Sequence, residues 1–268
     1  MKSLAHLAGF LLGCALPFVL PAAEAPRAPL TRAHSHNDYE HAHPLADALA
    51  HGFWSVEADI WLRDGRLLVA HDISDLSTNR TLQKLYLDPL RVFLKTNFTA
   101  RLILPEPPLT LLIDVKSEAE STYAALREVL KNYADILTRF ETNTIHTNAV
   151  MVILSGNRAE AVLRAEPVRL AALDGRLPDL ESNPPIALVP LVSDNWTKEF
   201  KWRGSGPMPE AEHARLLDLV TRSHAQGRRL RLWGAPDNTN GWRVLRAAGV
   251  DLLNTDKLAG LEEFLRAE

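Results

Sequence analysis

The sequence predicts an α/β protein with a single-domain (β/α)8 barrel of the TIM type, and three observations support this. Apolar, β-branched segments alternate with helical patterns from residue 30 to the end of the chain, which is typical of parallel βαβ units. Several strand segments are apolar throughout, which indicates a sheet that is buried on both faces. The mature chain of about 240 residues is also close to the usual size of such a barrel.

The expected elements follow one another along the chain. Strands are placed at Leu30–Ser35, Trp54–Ile60, Leu109–Val115, Ala149–Leu154, Arg169–Leu173, Ile186–Val192, Leu230–Trp233 and Asp251–Asn254. Helices are expected at Leu45–His51, Thr122–Leu137, Arg158–Ala165, Glu210–Gln226, Trp242–Ala248 and Ala259–Arg266. A doubly wound open sheet is the alternative architecture, but no glycine-rich phosphate loop follows any early strand.

Two features interrupt the regular alternation. Asp64-Gly65 is a strong hairpin signal, so the second strand is expected to turn back through Leu67–Ala70. The segment 73–108 has a mixed pattern, with a helix expected at Pro89–Thr96 and a proline cluster near its end. We interpret this segment as an insertion over one end of the barrel.

The first 25 residues resemble a secretory signal peptide, because one lysine precedes an apolar run that ends in small residues. The barrel domain is then expected to span 26–268 in an exported protein, periplasmic or secreted, with no stable transmembrane segment after cleavage. Leu11–Cys14 also resembles a lipoprotein box, which would make Cys14 a lipid attachment site. Since Cys14 is the only cysteine, we expect no disulfide, cysteine nucleophile or thiolate zinc site in the mature chain.

Composition excludes some partners. The chain is 46% hydrophobic and 24% charged, as expected of a globular protein with a sizeable core. The net charge is −3 and no long basic run is present, so neither nucleic acid nor an anionic membrane is an expected partner. The oligomeric state is not predicted.

Polar residues stand where the first two strands end, and the active site of a (β/α)8 barrel lies at those ends. His34 and His36 alternate onto one face of the first strand, and Glu57 and Asp59 share one face of the second. Carboxylates buried inside a strand are unfavourable unless a cation or protons compensate them. The second strand is therefore expected to contribute ligands to a cation.

The remaining strand ends extend this candidate site. Asp114 and Lys116 end the third strand, His71 ends the hairpin and Trp233 ends the seventh strand. Three carboxylates suit Mg²⁺ or Ca²⁺ rather than zinc, and Asn37 could add a neutral oxygen. Two histidines would serve as general acid and base, while the lysine would hold an anionic group. This combination is what cleavage of a phosphodiester requires.

Other residues allow two interpretations. Asp256 follows the eighth strand, where it could cap the last helix or belong to the site. The insertion and the loop Asn195–Pro209, which carries Trp196 and Trp202, are expected to shape the substrate pocket.

Four motifs carry a resemblance to known enzymes. SHNDY at Ser35–Tyr39, VEADIWLRDG at Val56–Gly65 and VAHD at Val69–Asp72 resemble the catalytic region of phosphoinositide-specific phospholipase C. IDVKS at Ile113–Ser117 resembles the acid-x-lysine strand of glycerophosphodiester phosphodiesterases and spider-venom sphingomyelinase D proteins. The overall likeness is to the altered inheritance of mitochondria protein 6 group of this superfamily, whose members share a TIM-type barrel.

The resemblance implies roles for particular residues. It implies His36 and His71 as catalytic histidines, Asn37, Glu57, Asp59 and Asp114 as metal ligands, and Lys116 as the phosphate-facing lysine. Trp233 is an expected substrate contact. An alignment on AHS would place the first catalytic histidine at His34 instead, and spacing does not decide between the two. The arginine that follows this histidine in the diesterases has no counterpart, because Ser35 or Asn37 stands there.

The leading hypothesis is a metal-dependent phosphoric diester hydrolase of lipid metabolism, acting on a glycerophosphodiester- or phospholipid-like substrate. An amidohydrolase-type metallohydrolase is one alternative, since it would use the pair His34 and His36 for zinc. It also needs histidines at the ends of strands five and six, where none stands. A non-catalytic envelope binding protein with a retained metal site is another. A glycosidase is disfavoured because Glu57 and Asp59 lie on one strand.

Overall fold

The computed structural model describes residues 28–97 and 106–267. The expected signal peptide, 1–25, and Cys14 lie outside the described residues. Within the described ranges, no helix combines the length and the apolar character that crossing a bilayer demands.

Strands and helices alternate through most of the described chain. The strands are β1 Leu30–Ser35, β2 Phe53–Arg63, β3 Arg66–Val69, β4 Leu109–Val115, β5 Arg139–Glu141, β6 Ile145–His146, β7 Val150–Gly156, β8 Val168–Arg169, β9 Ala172–Gly175, β10 Leu191–Asn195, β11 Arg229–Trp233 and β12 Leu253–Thr255. The α-helices are α1 Ala46–Ala50, α2 Asp88–Asn97, α3 Ala119–Lys131, α4 Glu160–Ala165, α5 Asp179–Ser182, α6 Trp196–Glu199, α7 Glu210–Ala225, α8 Thr239–Ala248 and α9 Leu258–Arg266.

Eight parallel strands form a nearly closed barrel, which confirms the predicted fold class. Their order is β12-β1-β2-β4-β7-β9-β10-β11, so neighbours in the sheet follow the order of the chain. One parallel bridge between Arg231 and Leu252 brings the two outer strands together. Because all eight strands run the same way, their carboxyl ends meet at one mouth of the barrel.

The predicted bounds of most barrel strands hold to within a few residues. β1 and β4 have the predicted limits, whereas the sixth barrel strand begins at Leu191 rather than Ile186. The reason is a turn in which the carbonyl of Pro185 accepts hydrogen bonds from the amides of Leu188 and Val189. Leu188 and Val189 pack in the core, so the sequence pattern resembles that of a buried strand.

The two faces of the barrel strands have different surroundings. On β2, Val56, Ala58 and Ile60 belong to the large apolar core cluster outside the barrel wall. The alternate residues Glu57 and Asp59 therefore point into the barrel. A smaller apolar cluster, formed by Leu112, Phe140, Met151, Ile153, Ala172, Leu191 and Leu252, contributes a second core. The acids of β2 thus lie in a polar layer within an otherwise apolar structure.

The predicted hairpin is present and places one of the candidate histidines. Asp64 and Gly65 both have positive φ, 48° and 71°, as the tight turn between β2 and β3 requires. β3 pairs antiparallel with the end of β2. After β3 the amide of Ala70 donates to the carbonyl of Asp59 at 3.3 Å, so that His71 is held beside the Asp59 side chain.

The segment expected to be an insertion packs on the loop after β1. It contains a 3-10 turn at Ile73–Asp75 and a single π-helical turn at Gln83–Leu87 that leads into α2. Tyr86 is buried and its hydroxyl donates to Asp38 Oδ2 at 3.0 Å. Asp38 also accepts the Leu45 amide at 2.6 Å, so the insertion and the loop between β1 and α1 are tied at one buried carboxylate.

The tryptophans of the loop Asn195–Pro209 lie in the core, contrary to the expectation that this loop shapes the pocket. Trp196 is 0% exposed, its ring lies 4.1 Å from that of Phe200, and its Nε1 donates to the carbonyl of Trp202 at 2.9 Å. We expect Trp196→Ala to lower the free energy of unfolding by about 3–5 kcal/mol, because it removes a large packed side chain.

Urea denaturation followed by circular dichroism measures this loss. Val92→Ala is the control, since Val92 is 64% exposed and its truncation is expected to change stability by less than about 0.5 kcal/mol. A loss below about 1 kcal/mol for Trp196→Ala would show that this loop is not part of the core.

Candidate active site

Three carboxylates converge at the carboxyl ends of β2 and β4. Asp59 and Asp114 are register partners in these adjacent parallel strands. Glu57 lies two residues before Asp59 and shares its face. One oxygen of each carboxylate lies within 4.8 Å of the others. Strand register therefore produces the acidic cluster that the sequence predicts.

A cleft of about 480 Å³ opens over this cluster at the mouth of the barrel. Its lining residues are His36, Asn37, Glu57, His71, Asp114, Val115, Lys116, Ser155, Gly156, Asn157, Arg176, Arg231 and Trp233. Of the residues predicted for the site, only His34 and Asp59 are not in this wall, and both are buried directly behind it.

Glu57 is held in its ionised form by two neighbours. Its Oε2 accepts hydrogen bonds from Arg231 Nη2 at 2.7 Å and from His34 Nε2 at 3.2 Å. Although burial favours the protonated carboxyl, the charge of Arg231 and the hydrogen bond from His34 hold the pKa of Glu57 well below its usual range. Glu57 is therefore a fixed, fully charged oxygen donor.

His34 and His36 have different surroundings. His34 is completely buried, with Nδ1 2.7 Å from the Ser55 hydroxyl and Nε2 facing Glu57. Burial lowers the pKa of His34 to about 3, so the ring is neutral and orients Glu57 through a hydrogen bond rather than an ion pair. His36 lines the cleft. This placement favours His36 over His34 as the histidine that meets the substrate.

Asp256 pairs with His36. The carboxylate Oδ1 of Asp256 lies 2.8 Å from His36 Nδ1. Although burial disfavours the imidazolium, this hydrogen bond raises the pKa of His36 above its ordinary value. Lys257 occupies the N-cap position of α9, so Asp256 is not the helix cap and its carboxylate is paired with His36.

Asp59 is the most connected of the three acids. Its Oδ2 lies 2.6 Å from the Tyr39 hydroxyl, 3.1 Å from His71 Nδ1 and 3.1 Å from Lys116 Nζ. Its Oδ1 is buried and has no hydrogen-bond partner among the residues that the structure describes. Burial and the nearby charge of Glu57 raise the pKa of Asp59 to about 6.

Asp114 and Lys116 form the other side of the cluster. Lys116 Nζ lies 3.3 Å from Asp114 Oδ1. Burial raises the pKa of Asp114 despite this contact. Burial opposes the charge of Lys116, but the two nearby carboxylates, Asp114 and Asp59, raise its pKa.

The cluster fits a divalent cation. Two of its three acids have raised pKa values, and a buried Asp59 oxygen lacks a partner among the described residues. Both observations indicate that further positive charge would be accommodated here. The donors are carboxylate oxygens, with the side chain of Asn37 in the same wall, and oxygen donors suit Mg²⁺ or Ca²⁺.

Three residues of the candidate site, Tyr39, Arg231 and Arg176, are not predicted from the sequence. Tyr39 contacts Asp59, His71 Nδ1 at 3.0 Å and Asn37 Oδ1 at 2.8 Å. Arg231 binds Glu57, and Arg176 lines the cleft. A sequence signal existed for Arg231, because it stands two residues before Trp233 and so shares its face of β11. Tyr39 belongs to the motif SHNDY, but its contacts depend on the turn after β1.

Gly156 makes room for Asp114. It has φ +66°, and a Cβ at this position would overlap Asp114 Oδ1. We expect Gly156→Ala to displace the carboxylate and weaken divalent-cation binding by about tenfold or more, as measured by calorimetry. Gly206→Ala is the control, because Gly206 has φ +63° with nothing within 4 Å of a built Cβ. Equal cation affinity in the two variants would contradict this role for Gly156.

Solved structures of phosphodiesterases share this barrel fold. The glycerophosphodiester phosphodiesterase of Agrobacterium tumefaciens str. C58 matches with a TM-score of 0.52 and 13% identity, covering 89% of this chain and 100% of that one. A phosphodiesterase of Oleispira antarctica, solved with the product sn-glycerol-3-phosphate, matches with 0.54 and 15% identity, covering 88% and 96%.

Comparison of sequences identifies the family. The AIM6-like phosphodiesterase domain matches residues 28–171. Altered inheritance of mitochondria protein 6 of Eremothecium gossypii is 32% identical over 270 residues, covering 88% of this chain and 69% of that protein. The homolog of Arthroderma benhamiae is 27% identical over 252 residues, covering 83% and 80%. The chain therefore belongs to the AIM6-like phosphodiesterase family, which confirms the resemblance and the assignment as a phosphodiesterase.

Proposed function

We propose that this protein is a metal-dependent phosphoric diester hydrolase in which His36 and His71 are the acid/base pair. One observation carries the proposal. Two histidines, each with Nδ1 next to a carboxylate, line one cleft together with the acidic cluster. The carboxylates are Asp256 for His36 and Asp59 for His71. This pairing leaves Nε2 of each ring for the substrate, as acid/base chemistry requires.

Glu57, Asp59 and Asp114 would hold the cation, with Asn37 as a fourth oxygen donor. A bound Mg²⁺ or Ca²⁺ would neutralise charge on the phosphoryl oxygens of the substrate. Arg231 and the neutral His34 keep Glu57 ionised and fixed, which prepares the site before the ion binds.

The histidines would move the protons of the reaction. Nε2 of one ring accepts the proton of the attacking hydroxyl, which comes from water or from the substrate itself. Nε2 of the other ring donates a proton to the leaving oxygen as the bond from phosphorus to that oxygen breaks. Asp256 favours the imidazolium form of His36, and the two carboxylates, Asp256 and Asp59, would each hold the Nδ1–H tautomer of the neighbouring ring. The step leaves the total charge of the two rings unchanged, and proton exchange with water then returns each ring to its starting form before the next turnover.

The other cleft residues would bind the substrate. Lys116, whose charge is favoured by its surroundings, would contact a phosphoryl oxygen once the acids bind the cation. Trp233 would pack against the alcohol part of the diester. The Oleispira antarctica neighbour, solved with sn-glycerol-3-phosphate, supports a glycerophosphodiester- or phospholipid-like substrate.

We also propose that the domain is exported, periplasmic or secreted, after removal of residues 1–25, with lipid attachment at Cys14 as the alternative. Mass spectrometry of the N-terminus of the mature protein distinguishes these outcomes. A mature chain that retains Met1 and its whole leader would contradict export by cleavage.

Hydrolysis of bis(p-nitrophenyl) phosphate and of glycerophosphodiesters tests the proposed function. The assay is run with EDTA and with Mg²⁺, Ca²⁺ or Zn²⁺, and phosphorus NMR identifies the products. We expect cleavage that needs Mg²⁺ or Ca²⁺ and is lost in His71→Ala. Activity with zinc alone would instead favour the amidohydrolase alternative. Cation binding without cleavage of any diester would favour a binding protein.

A further inference from the structure

Arg176 lines the same cleft as the candidate catalytic residues but comes from a different strand. It follows β9, the fifth strand of the barrel, and its side chain is 30% exposed. Among the site residues predicted from sequence, none comes from this strand. The cleft therefore has a cationic residue that the acid/base chemistry does not use.

The guanidinium of Arg176 is held in place by several contacts. Nη1 donates to Asp174 Oδ2 at 2.9 Å and to the carbonyl of Gly175 at 2.9 Å. Nη2 lies 3.3 Å from the Ser155 hydroxyl. These contacts fix the plane of the guanidinium and reduce the entropy lost when it binds a ligand.

The partner carboxylate of Arg176 lies behind the cleft wall. Asp174 is 0% exposed and accepts hydrogen bonds from the hydroxyls of Ser155, at 2.8 Å, and Ser193, at 2.7 Å. A buried carboxylate needs such donors to be stable. Ser155, Ser193 and Arg176 donate to this buried acid, and the acid in turn fixes the position of the Arg176 guanidinium at the cleft.

The cationic residues of the cleft contact different carboxylates. Lys116 contacts Asp59 and Asp114, and Arg231 contacts Glu57, so both compensate the acids that would bind the cation. The partner of Arg176 is not one of these acids. Because Lys116 would contact the diester phosphate in the proposed function, Arg176 is available for a second negative charge of the substrate.

We propose that Arg176 forms an anion subsite for a carboxylate or phosphate monoester carried by one alcohol part of the diester substrate. This inference rests on the proposed function and narrows its substrate class to diesters with a second anionic group. A planar guanidinium recognises both groups through paired hydrogen bonds.

Two matched substrate pairs test the subsite and distinguish its two ligands. Glycerophosphoserine and glycerophosphoethanolamine differ by one carboxylate. Glycerophosphoinositol and its 4-phosphate differ by one phosphate. We expect kcat/KM of the wild-type protein to be about tenfold or more higher for the anionic member of at least one pair. In Arg176→Gln this ratio is expected to fall to within about twofold of unity.

Two further variants separate recognition from folding. Arg158→Gln is the control, because Arg158 also donates to the carbonyl of Asp174 but does not line the cleft, and we expect it to keep the wild-type ratio. If Arg176→Gln fails to fold, the double variant Asp174→Asn/Arg176→Gln removes the uncompensated buried charge. Two results would contradict the subsite. One is a wild-type protein whose kcat/KM is nearly equal for the two members of both substrate pairs. The other is a folded variant without Arg176 that keeps the wild-type preference for the anionic member.

A binding measurement separates failure of the subsite from failure of the proposed function. Calorimetry compares O-phosphoserine with phosphoethanolamine, which differ by one carboxylate, and inositol 1,4-bisphosphate with inositol 1-phosphate, which differ by one phosphate. We expect an affinity about tenfold or more higher for the anionic member of at least one pair, and loss of this preference in Arg176→Gln. If no diester is cleaved, this preference still supports the subsite, and equal affinities within both pairs contradict it.

Discussion

Replacing Asp59 with asparagine is expected to lower kcat/KM for a phosphodiester by at least about a thousandfold. One oxygen of Asp59 contacts Tyr39, His71 and Lys116, and the other is buried without a described partner. The substitution would weaken the cation site and remove the carboxylate that orients His71. Both effects destabilise the transition state, so the loss in kcat/KM is expected to be larger than either effect alone would cause.

The measurement is steady-state hydrolysis at saturating Mg²⁺ or Ca²⁺, together with calorimetric titration of the ion. Asp72→Asn is the control, since Asp72 is exposed, adjoins His71 in sequence and does not line the cleft. Thermal denaturation checks that Asp59→Asn remains folded. Activity within about tenfold of wild type in the folded variant would show that Asp59 has no part in the chemistry.

His36→Gln is expected to lower kcat by about 10²–10⁴-fold, the usual contribution of a general acid or base. His34→Gln is the matched comparison, because His34 orients Glu57 from behind the cleft wall. We expect His34→Gln to act mainly on stability and cation affinity, with a smaller loss of kcat at saturating cation. A larger loss of kcat in His34→Gln than in His36→Gln would assign the catalytic role to His34.

The contact between Asp256 and His36 predicts how the pH profile of kcat/KM changes when Asp256 is replaced. The hydrogen bond between Asp256 and His36 favours the imidazolium and raises the pKa of His36, against the opposing effect of burial. Asp256→Asn removes the stabilising carboxylate charge, so the pKa falls. Whichever limb of the kcat/KM profile His36 controls should therefore move to lower pH. A limb that stays in place or moves to higher pH would contradict the pairing.

The parts of the site that sequence predicts are those set by strand alternation. Glu57 and Asp59 share a face because they are two residues apart on one strand. Asp114 joins them because apolar β4 pairs with β2 in a register that sets Asp59 beside it. The barrel itself follows from the regular alternation of buried strands and helices.

The parts that sequence does not predict depend on barrel closure and on turns. Asp256 meets His36 across 220 positions of sequence, because closure sets β12 beside β1. No local pattern encodes that contact. Tyr39 reaches Asp59 because Asn37 adopts φ 49° in the turn after β1, and several backbone conformations fit the same motif. Composition alone does not distinguish a pocket wall from a core, so the sequence does not predict that the loop tryptophans lie in the core.

The most direct test of the whole account is the rate of diester hydrolysis as a function of cation bound to protein that has been stripped of metal. Cleavage of bis(p-nitrophenyl) phosphate and the amount of bound Mg²⁺ or Ca²⁺ are measured in the same samples, with Glu57→Gln as the matched variant. We predict activity that rises in proportion to about one bound ion per chain, with both binding and activity impaired in Glu57→Gln. Full activity in protein shown by mass spectrometry to contain no metal, or undiminished activity in Glu57→Gln, would contradict it.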